Sequence, residues 1–249
     1  MQAETCISVT AISLFIRLFI AHMAGDFILQ QKSWVKQRAT YKWKSGLLYA
    51  NAAIIAVLSW ILSGYPHTWL IPILIFAVHA GIDIIKSYAP DKPVIFAADQ
   101  LLHLAATAGA TWLYLTREGL PAGPEWLFGN LELWIYIAAY TMVTWPMGII
   151  IGMLTRKWSY ENETSDGLKD AGRYIGILER LLILTFVLIN QFPAVGFLVA
   201  AKSVMRFGDI RDSNNRKGAE YILIGTMISF AVAIFTGLLA QWLIKIYAV

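Results

Sequence analysis

The sequence predicts an all-α fold, a polytopic transmembrane helix bundle of about eight membrane segments, and three observations predict it. Of the 249 residues, 58% are hydrophobic and only 14% charged, with a mean hydropathy of +0.59, whereas charged residues make up about a quarter of a soluble globule. Apolar runs near the length of a bilayer-crossing helix recur along the whole chain. Basic residues gather in alternate connections between those runs, as they do in multi-pass membrane proteins. Only short polar stretches separate the runs, so residues 1–249 are read as a single transmembrane domain.

The segments fall at about 7–29, 46–64, 69–87, 95–116, 131–155, 174–191, 194–206 and 220–246. The first follows "MQAET", which has no basic n-region, and it outruns a signal-peptide core, so it is read as retained. Its Cys6 is the only cysteine, which excludes an internal disulfide, and no role is assigned to it. The fifth contains Pro146, expected to kink it. The seventh, "AVGFLVAAKSVMRF", is short: it either crosses or pairs with the sixth as a re-entrant hairpin around "QFP".

Loop charges set the expected orientation. Lys32, Lys36, Arg38, Lys42 and Lys44 lie between segments 1 and 2, and Lys86 and Lys92 between 3 and 4. Arg156, Lys157, Lys169 and Arg173 lie between 5 and 6, and Lys202, Arg206, Arg211, Arg216 and Lys217 between 7 and 8. These connections are assigned to the cytoplasm, which puts both termini on the periplasmic side. The other face keeps Arg117 and Lys245 and carries Trp60, Trp69, Trp126 and Trp242 as interfacial aromatics. The net charge of +4 and pI near 9.1 follow from this asymmetry and suit contact with anionic lipid, not nucleic acid.

Against this apolar background three motifs stand out: "HMAGD" with His22 and Asp26, "HAGID" with His79 and Asp83, and "DQLLH" with Asp99 and His103. Each pair is spaced i, i+4, which stacks an imidazole and a carboxylate on one face of one helix. Counted from helix ends near residues 31, 88 and 94, each histidine lies roughly 13 Å inside and each aspartate roughly 7 Å, at about 1.5 Å per residue. The motif order reverses in segment 4, which runs opposite to segments 1 and 3, so the histidines form one layer and the carboxylates another. The fourth histidine, His67, sits in the outer "YPHTW" turn and is read as interfacial.

An aspartate near the middle of a membrane helix costs about 2.5 to 3.5 kcal/mol on insertion, less toward the interface. Three of them require compensation, and three arrangements supply it: a polar interhelical network, a proton relay, or a bound divalent metal such as Zn²⁺ held by mixed nitrogen and oxygen ligands. The metal is the working reading, with His22, His79, His103, Asp26, Asp83 and Asp99 as candidate ligands and the three aspartates as candidate catalytic groups. Gln30 continues the first face, Lys86 continues the second, Gln100 adjoins Asp99, and Asn51 in segment 2 falls at a comparable depth. These suit contacts to the ligands or a substrate; snorkelling of Lys86 and interhelical bonding of Asn51 are the plainer alternatives.

A second constellation comprises Glu179, Arg180, Lys202 and Arg206. Glu179 is expected to pair structurally, with Arg17 as one partner, while the basic trio is read equally as structural or as a pocket for a phosphate or anionic head group. Gly148 with Gly152, and Gly172 with Gly176, have the spacing of close helix approach.

"AHMAGDFILQ", "HAGIDIIK" and "DQLLH", taken in order, resemble the DUF3307 family of bacterial membrane proteins over about residues 17–115. The resemblance implies a bacterial inner membrane and brings no established activity. It leaves residues 131–249 to be read from their own chemistry.

Two function classes are carried forward. One is an intramembrane metal-dependent hydrolase acting on a lipid or lipid-linked substrate from the cytoplasmic leaflet. The other is a carrier of a divalent cation or protons, which needs a polar path to the outer face; the outer halves of segments 1, 3 and 4 offer Ser, Thr and Arg17 alone. A structural or signalling subunit with an architectural polar network stands as a third.

Overall fold

The computed structural model describes residues 2–118, 124–156, 171–205 and 216–247, and every described element is helical. In chain order these are α1 (Gln2–Met23), a π-helical turn (Ala24–Leu29), α2 (Lys32–Tyr41), a 3-10 turn (Lys42–Lys44), α3 (Gly46–Ser63), α4 (Leu70–Tyr88), α5 (Pro93–Glu118) and α6 (Glu125–Phe128). They continue with α7 (Leu131–Val143), α8 (Trp145–Thr155), α9 (Ala171–Leu188), α10 (Phe192–Met205) and α11 (Arg216–Tyr247).

Among the described residues six stretches are long and apolar enough to cross a membrane: Val9–Leu29, Gly46–Ser63, Leu70–Tyr88, Pro93–Arg117, Leu131–Thr155 and Glu220–Tyr247. The chain is thus a multi-span membrane protein, with six such spans where eight segments were expected. The remaining two form a helical hairpin of different character. α9 carries Arg173, Glu179 and Arg180, and the apolar part of α10, Phe192–Val204, is too short to cross alone. A three-residue turn joins them, with Asn190 in the left-handed region (φ 57°) and the Gln191 amide donating to Phe186 O at 2.7 Å.

The chain divides into two compact units, residues 1–138 with 244–249, and residues 139–243. In the first, α1, α3, α4 and α5 pack together. Local sequence sets their ends: Gly64 closes α3 in the left-handed conformation (φ 79°), α4 stops before Pro90, and Pro93 opens α5. Leu14, Leu18, Ile71, Ala110 and the stacked rings of Tyr65 and Tyr114, 4.9 Å apart, fill one end. Arg17 is fully buried there and donates to the carbonyls of Ser13, Leu62 and Ser63 at 3.0–3.2 Å, its guanidinium also over the Phe128 ring. It therefore ties down the last carbonyls of α3 and is not held for Glu179.

In the second unit Pro146 does what its chemistry requires: with no N–H to give and a ring against the preceding turn, it breaks segment 5 into α7 and α8 at Thr144 (ψ −115°). Two carbonyls at that break, Val143 O and Thr144 O, accept from buried Arg180, which also donates to Ser229 Oγ on α11 at 3.2 Å; Thr144 O accepts from the Gly148 amide as well. A methyl group at Gly148 or Gly176 would lie 3.3 or 3.2 Å from that guanidinium, while one at Gly152 or Gly172 would meet nothing. Two of these four glycines make room for an arginine. Glu179 pairs with Lys202 in the same unit.

Candidate metal centre

The site lies in the first unit, where α1 with the π-turn that follows it, α4 and α5 each contribute one histidine and one aspartate. It begins with an irregularity. Directly after His22 the backbone of α1 widens into the π-turn Ala24–Leu29, closed by the Gln30 amide on Gly25 O at 3.1 Å, an i to i−5 bond. Gly25 lies so close to α3 that a Cβ there would collide with the Ile55 side chain. Asn51, one turn before Ile55 and fully buried, reaches across to donate to Asp26 Oδ1 at 2.7 Å. Gln30 itself has left the helix into extended backbone (ψ 117°), because the π-turn ends there, so it does not continue the face of His22 and Asp26.

The three histidines meet in one layer. Ring centroids of His79 and His103 are 4.3 Å apart, His22 and His103 4.7 Å, and His22 and His79 5.6 Å, and all three residues are buried. Asp26 Oδ1 lies 3.4 Å from His79 Nε2, and Asp26 Oδ2 lies 3.8 Å from His22 Nδ1. Asp83 Oδ2 is 3.7 Å from His79 Nε2 and Asp83 Oδ1 is 3.9 Å from His103 Nε2, while Asp99 Oδ1 is 3.6 Å from His103 Nε2. These separations exceed the 2.7–3.2 Å of a good N–H···O bond.

Cations flank the carboxylates. Lys86 pairs with Asp99 Oδ2, which also accepts from Gln100 Nε2 at 3.0 Å. Lys86 is therefore committed to the site and does not snorkel. Asp83 faces Arg38 Nη1 at 2.7 Å. Arg38 stands on α2, a helix outside the six spans in what the sequence offers as a basic loop, and it is buried. Sequence reasoning counted it only as a topology charge. One signal was available: it is the one arginine among Lys32, Lys36, Lys42 and Lys44, and arginine is the cation preferred for a buried carboxylate.

Five buried atoms of the site have no hydrogen-bond partner: the Nε2 atoms of His22, His79 and His103, Asp83 Oδ2 and Asp99 Oδ1; Asp83 Oδ1 is taken by Arg38. Well over 90% of buried polar groups in native proteins are bonded, and an ion is one standard reason for an exception. Among the described residues two groups have the proximity to hold one, His22 with His79 and His103, and Asp83 with Asp99 and His103; in each, one donor atom per residue lies within 4.8 Å of the others. Zinc bound at about 2.0–2.2 Å needs tetrahedral donors about 3.4 Å apart, so a small contraction of either triad suffices. The donor set, imidazole nitrogen and carboxylate oxygen, fits such an ion.

Beyond the histidine layer, away from the carboxylates, a cavity of about 350 Å³ opens. The three histidines form its floor and its walls are mainly aliphatic, with Leu18, Ile55 and Ile71 on the inner side.

In the second constellation the described cations have partners of their own. Arg180 is spent on the α7–α8 break and Lys202 on Glu179, and Arg206 lies outside the described residues.

No curated protein and no solved structure matches the chain. The segment carrying all six histidine and aspartate residues, together with Arg38, Asn51, Lys86 and Gln100, is a family match: residues 14–118 fit DUF3307, described as a protein of unknown function.

Proposed function

We propose that the chain is an intramembrane metal-dependent hydrolase whose substrate is a lipid or lipid-linked molecule. The observation that carries the reading is a set of five buried nitrogen and oxygen atoms without hydrogen-bond partners, on histidines and aspartates that form two triads sharing His103.

Formal charge supports it. Three carboxyl groups, Asp26, Asp83 and Asp99, face two cations, Arg38 and Lys86, which leaves a formal charge of minus one before the histidines are counted. A divalent ion turns that deficit into a single positive charge, which an anionic group on the substrate would balance. Such an ion, Zn²⁺ or a similar one, supplies Lewis acidity toward a carbonyl or phosphoryl oxygen. The residues do the rest. His22, His79 and His103 present nitrogen ligands, Asp26 orients the imidazoles of His22 and His79 while Asn51 holds Asp26, and Asp99 is fixed by Lys86 and Gln100. Asp83, its Oδ1 held by Arg38, keeps Oδ2 without a hydrogen-bond partner and is assigned as the group that takes the proton from the attacking water.

A carrier is disfavoured by the cavity on the far side of the histidines, where an ion moving across would meet Leu18, Ile55, Ile71 and Leu113 in place of ligands.

The test combines metal analysis, metal flux in proteoliposomes and hydrolysis of a membrane-lipid extract, for wild type and Asp83→Asn. The expected result is near-stoichiometric transition metal and lipid hydrolysis in wild type, with metal partly retained and turnover lost in Asp83→Asn. Wild-type flux without lipid products would replace the enzyme by a carrier. A wild type that purifies folded and metal-free would return the cluster to an architectural network.

A further inference from the structure

We infer that the cavity beyond the histidines is a binding site for one acyl chain of an anionic membrane lipid, admitted sideways from the bilayer between α4 and α5. The inference deepens the hydrolase reading and rests on it for the chemistry at the cavity floor, but the binding site stands on its own geometry.

The mouth comes first. Half of the residues lining the cavity are buried, yet Leu74 and Val78 on α4 and Gly109 and Trp112 on α5 are exposed. These four residues lie on helices read as membrane-spanning, so the surface they open onto is hydrocarbon. The space beside Gly109 is open, since a Cβ at that position would meet nothing within 4 Å. A polar metabolite would have to cross lipid to reach such a mouth, whereas a lipid chain is already there.

The interior has the dimensions and chemistry of a chain site. Its volume of about 350 Å³ is at the small end of ligand pockets. Along α4 it runs from His79 to Ile71, roughly 12 Å at about 1.5 Å per residue. Of its two hydroxyl side chains besides the histidines, Thr107 is already bonded to His103 O at 2.9 Å. What remains is an aliphatic slot closed at one end by imidazoles.

Charge fixes the other end of the ligand. Lys92, in the turn joining α4 to α5, is exposed at the carboxylate end of the same two helices that frame the mouth, and Lys36 and Lys44 are exposed at that end too. A chain seated in the cavity would bring the bonds next to its head group to the level of the histidines, with the head group itself toward these lysines. An anionic head group is the complement.

Photolabelling tests the site without requiring turnover. Wild-type protein is reconstituted in phosphatidylglycerol vesicles doped with the same lipid carrying a chain-terminal diazirine, and labelled positions are mapped by mass spectrometry. Ile55 and Ile71 are 2% and 1% exposed, so lipid on the outer surface cannot reach them. Label is expected at both, and Gly109→Trp, which plugs the mouth, should lower it about tenfold, as a packing penalty above about 1.4 kcal/mol implies. Metal content should not change, because the plug stands away from the ligands. Leu74→Trp provides a second plug from the opposite wall should the first variant fold poorly.

Label confined to exposed positions such as Phe197 and Phe235, or label at Ile55 that survives both plugs, would overturn the site. Equal labelling by the zwitterionic phosphatidylcholine probe would overturn the anionic head group. Labelled Ile55 in protein that never carries metal would leave the chain site standing and remove the hydrolase reading.

Discussion

Arg38 Nη1 lies 2.7 Å from Asp83 Oδ1, an ion pair between a helix outside the spans and a fully buried carboxylate within one. The pair makes α2 part of the site and not a connection to it. Removing one partner of a buried pair costs about 3–5 kcal/mol, because the other charge is left uncompensated. Arg38→Gln is therefore expected to lower thermal stability in detergent sharply, and adding Asp83→Asn to recover a good part of the loss. Equal stability of Arg38→Gln and wild type in a thermal-shift series would show that the pair contributes nothing.

Asn51 holds Asp26 through a single bond of 2.7 Å, and Asp26 in turn faces His22 and His79. Residues that orient ligands typically change metal affinity about 10–100-fold when removed. Asn51→Leu should weaken zinc binding by that order in a chelator competition, while far-UV circular dichroism remains that of a helical protein. Unchanged affinity would reduce Asn51 to an interhelical contact.

Gly25 cannot carry a side chain while Ile55 stays where it is. Gly25→Ala is expected to cost about 1–3 kcal/mol by overpacking, and Ile55→Ala in the same chain to relieve it. The double-mutant cycle distinguishes this from a simple propensity effect, since Ala otherwise favours a helix over Gly. Additive effects in denaturant unfolding would argue against the close approach.

Arg180 joins the α7–α8 break to α11 and lies in the other compact unit. Arg180→Met should destabilise the protein, because Val143 O loses its donor and Thr144 O one of its two, yet folded protein should bind metal with wild-type stoichiometry. Metal loss in the folded variant would show that Arg180 serves the site after all.

Orientation remains the expectation drawn from loop charges. A reporter fused after Val249 should be active on the side opposite a reporter placed in α2, as an even number of crossings and outward termini require. Activity of both reporters on the same side would reject that topology.

The histidine and aspartate layers were legible because two periodicities had to agree. The i, i+4 spacing fixed one face per helix, and the reversed order in "DQLLH" fixed the depth. Asn51, Lys86 and Gln100 were legible for a related reason, as polar groups at matching depth on apolar helices. Arg38 was not, since five bases between two spans all satisfy the same charge rule, and only tertiary packing makes one of them a partner of Asp83. Gln30 was misjudged because constant helical winding was assumed through residue 30, where the backbone is π-helical. The Pro146 break could be read directly, but that Arg180 would satisfy it could not, because the two residues come together only on folding.

The same geometry dictates an order of assembly during synthesis. Asp26 enters the bilayer with α1, but Asn51 follows 25 residues later, and His79 only with α4. Asp83, in turn, arrives after Arg38 has already been made and left at the surface. A chain cut short between α3 and α4 thus holds Asp26 with Asn51 but without His79, and Arg38 without Asp83. Only when α5 delivers Asp99 and His103 does the cluster close, so the ribosome must expose nearly half the chain before the first transmembrane helix is stable where it stands.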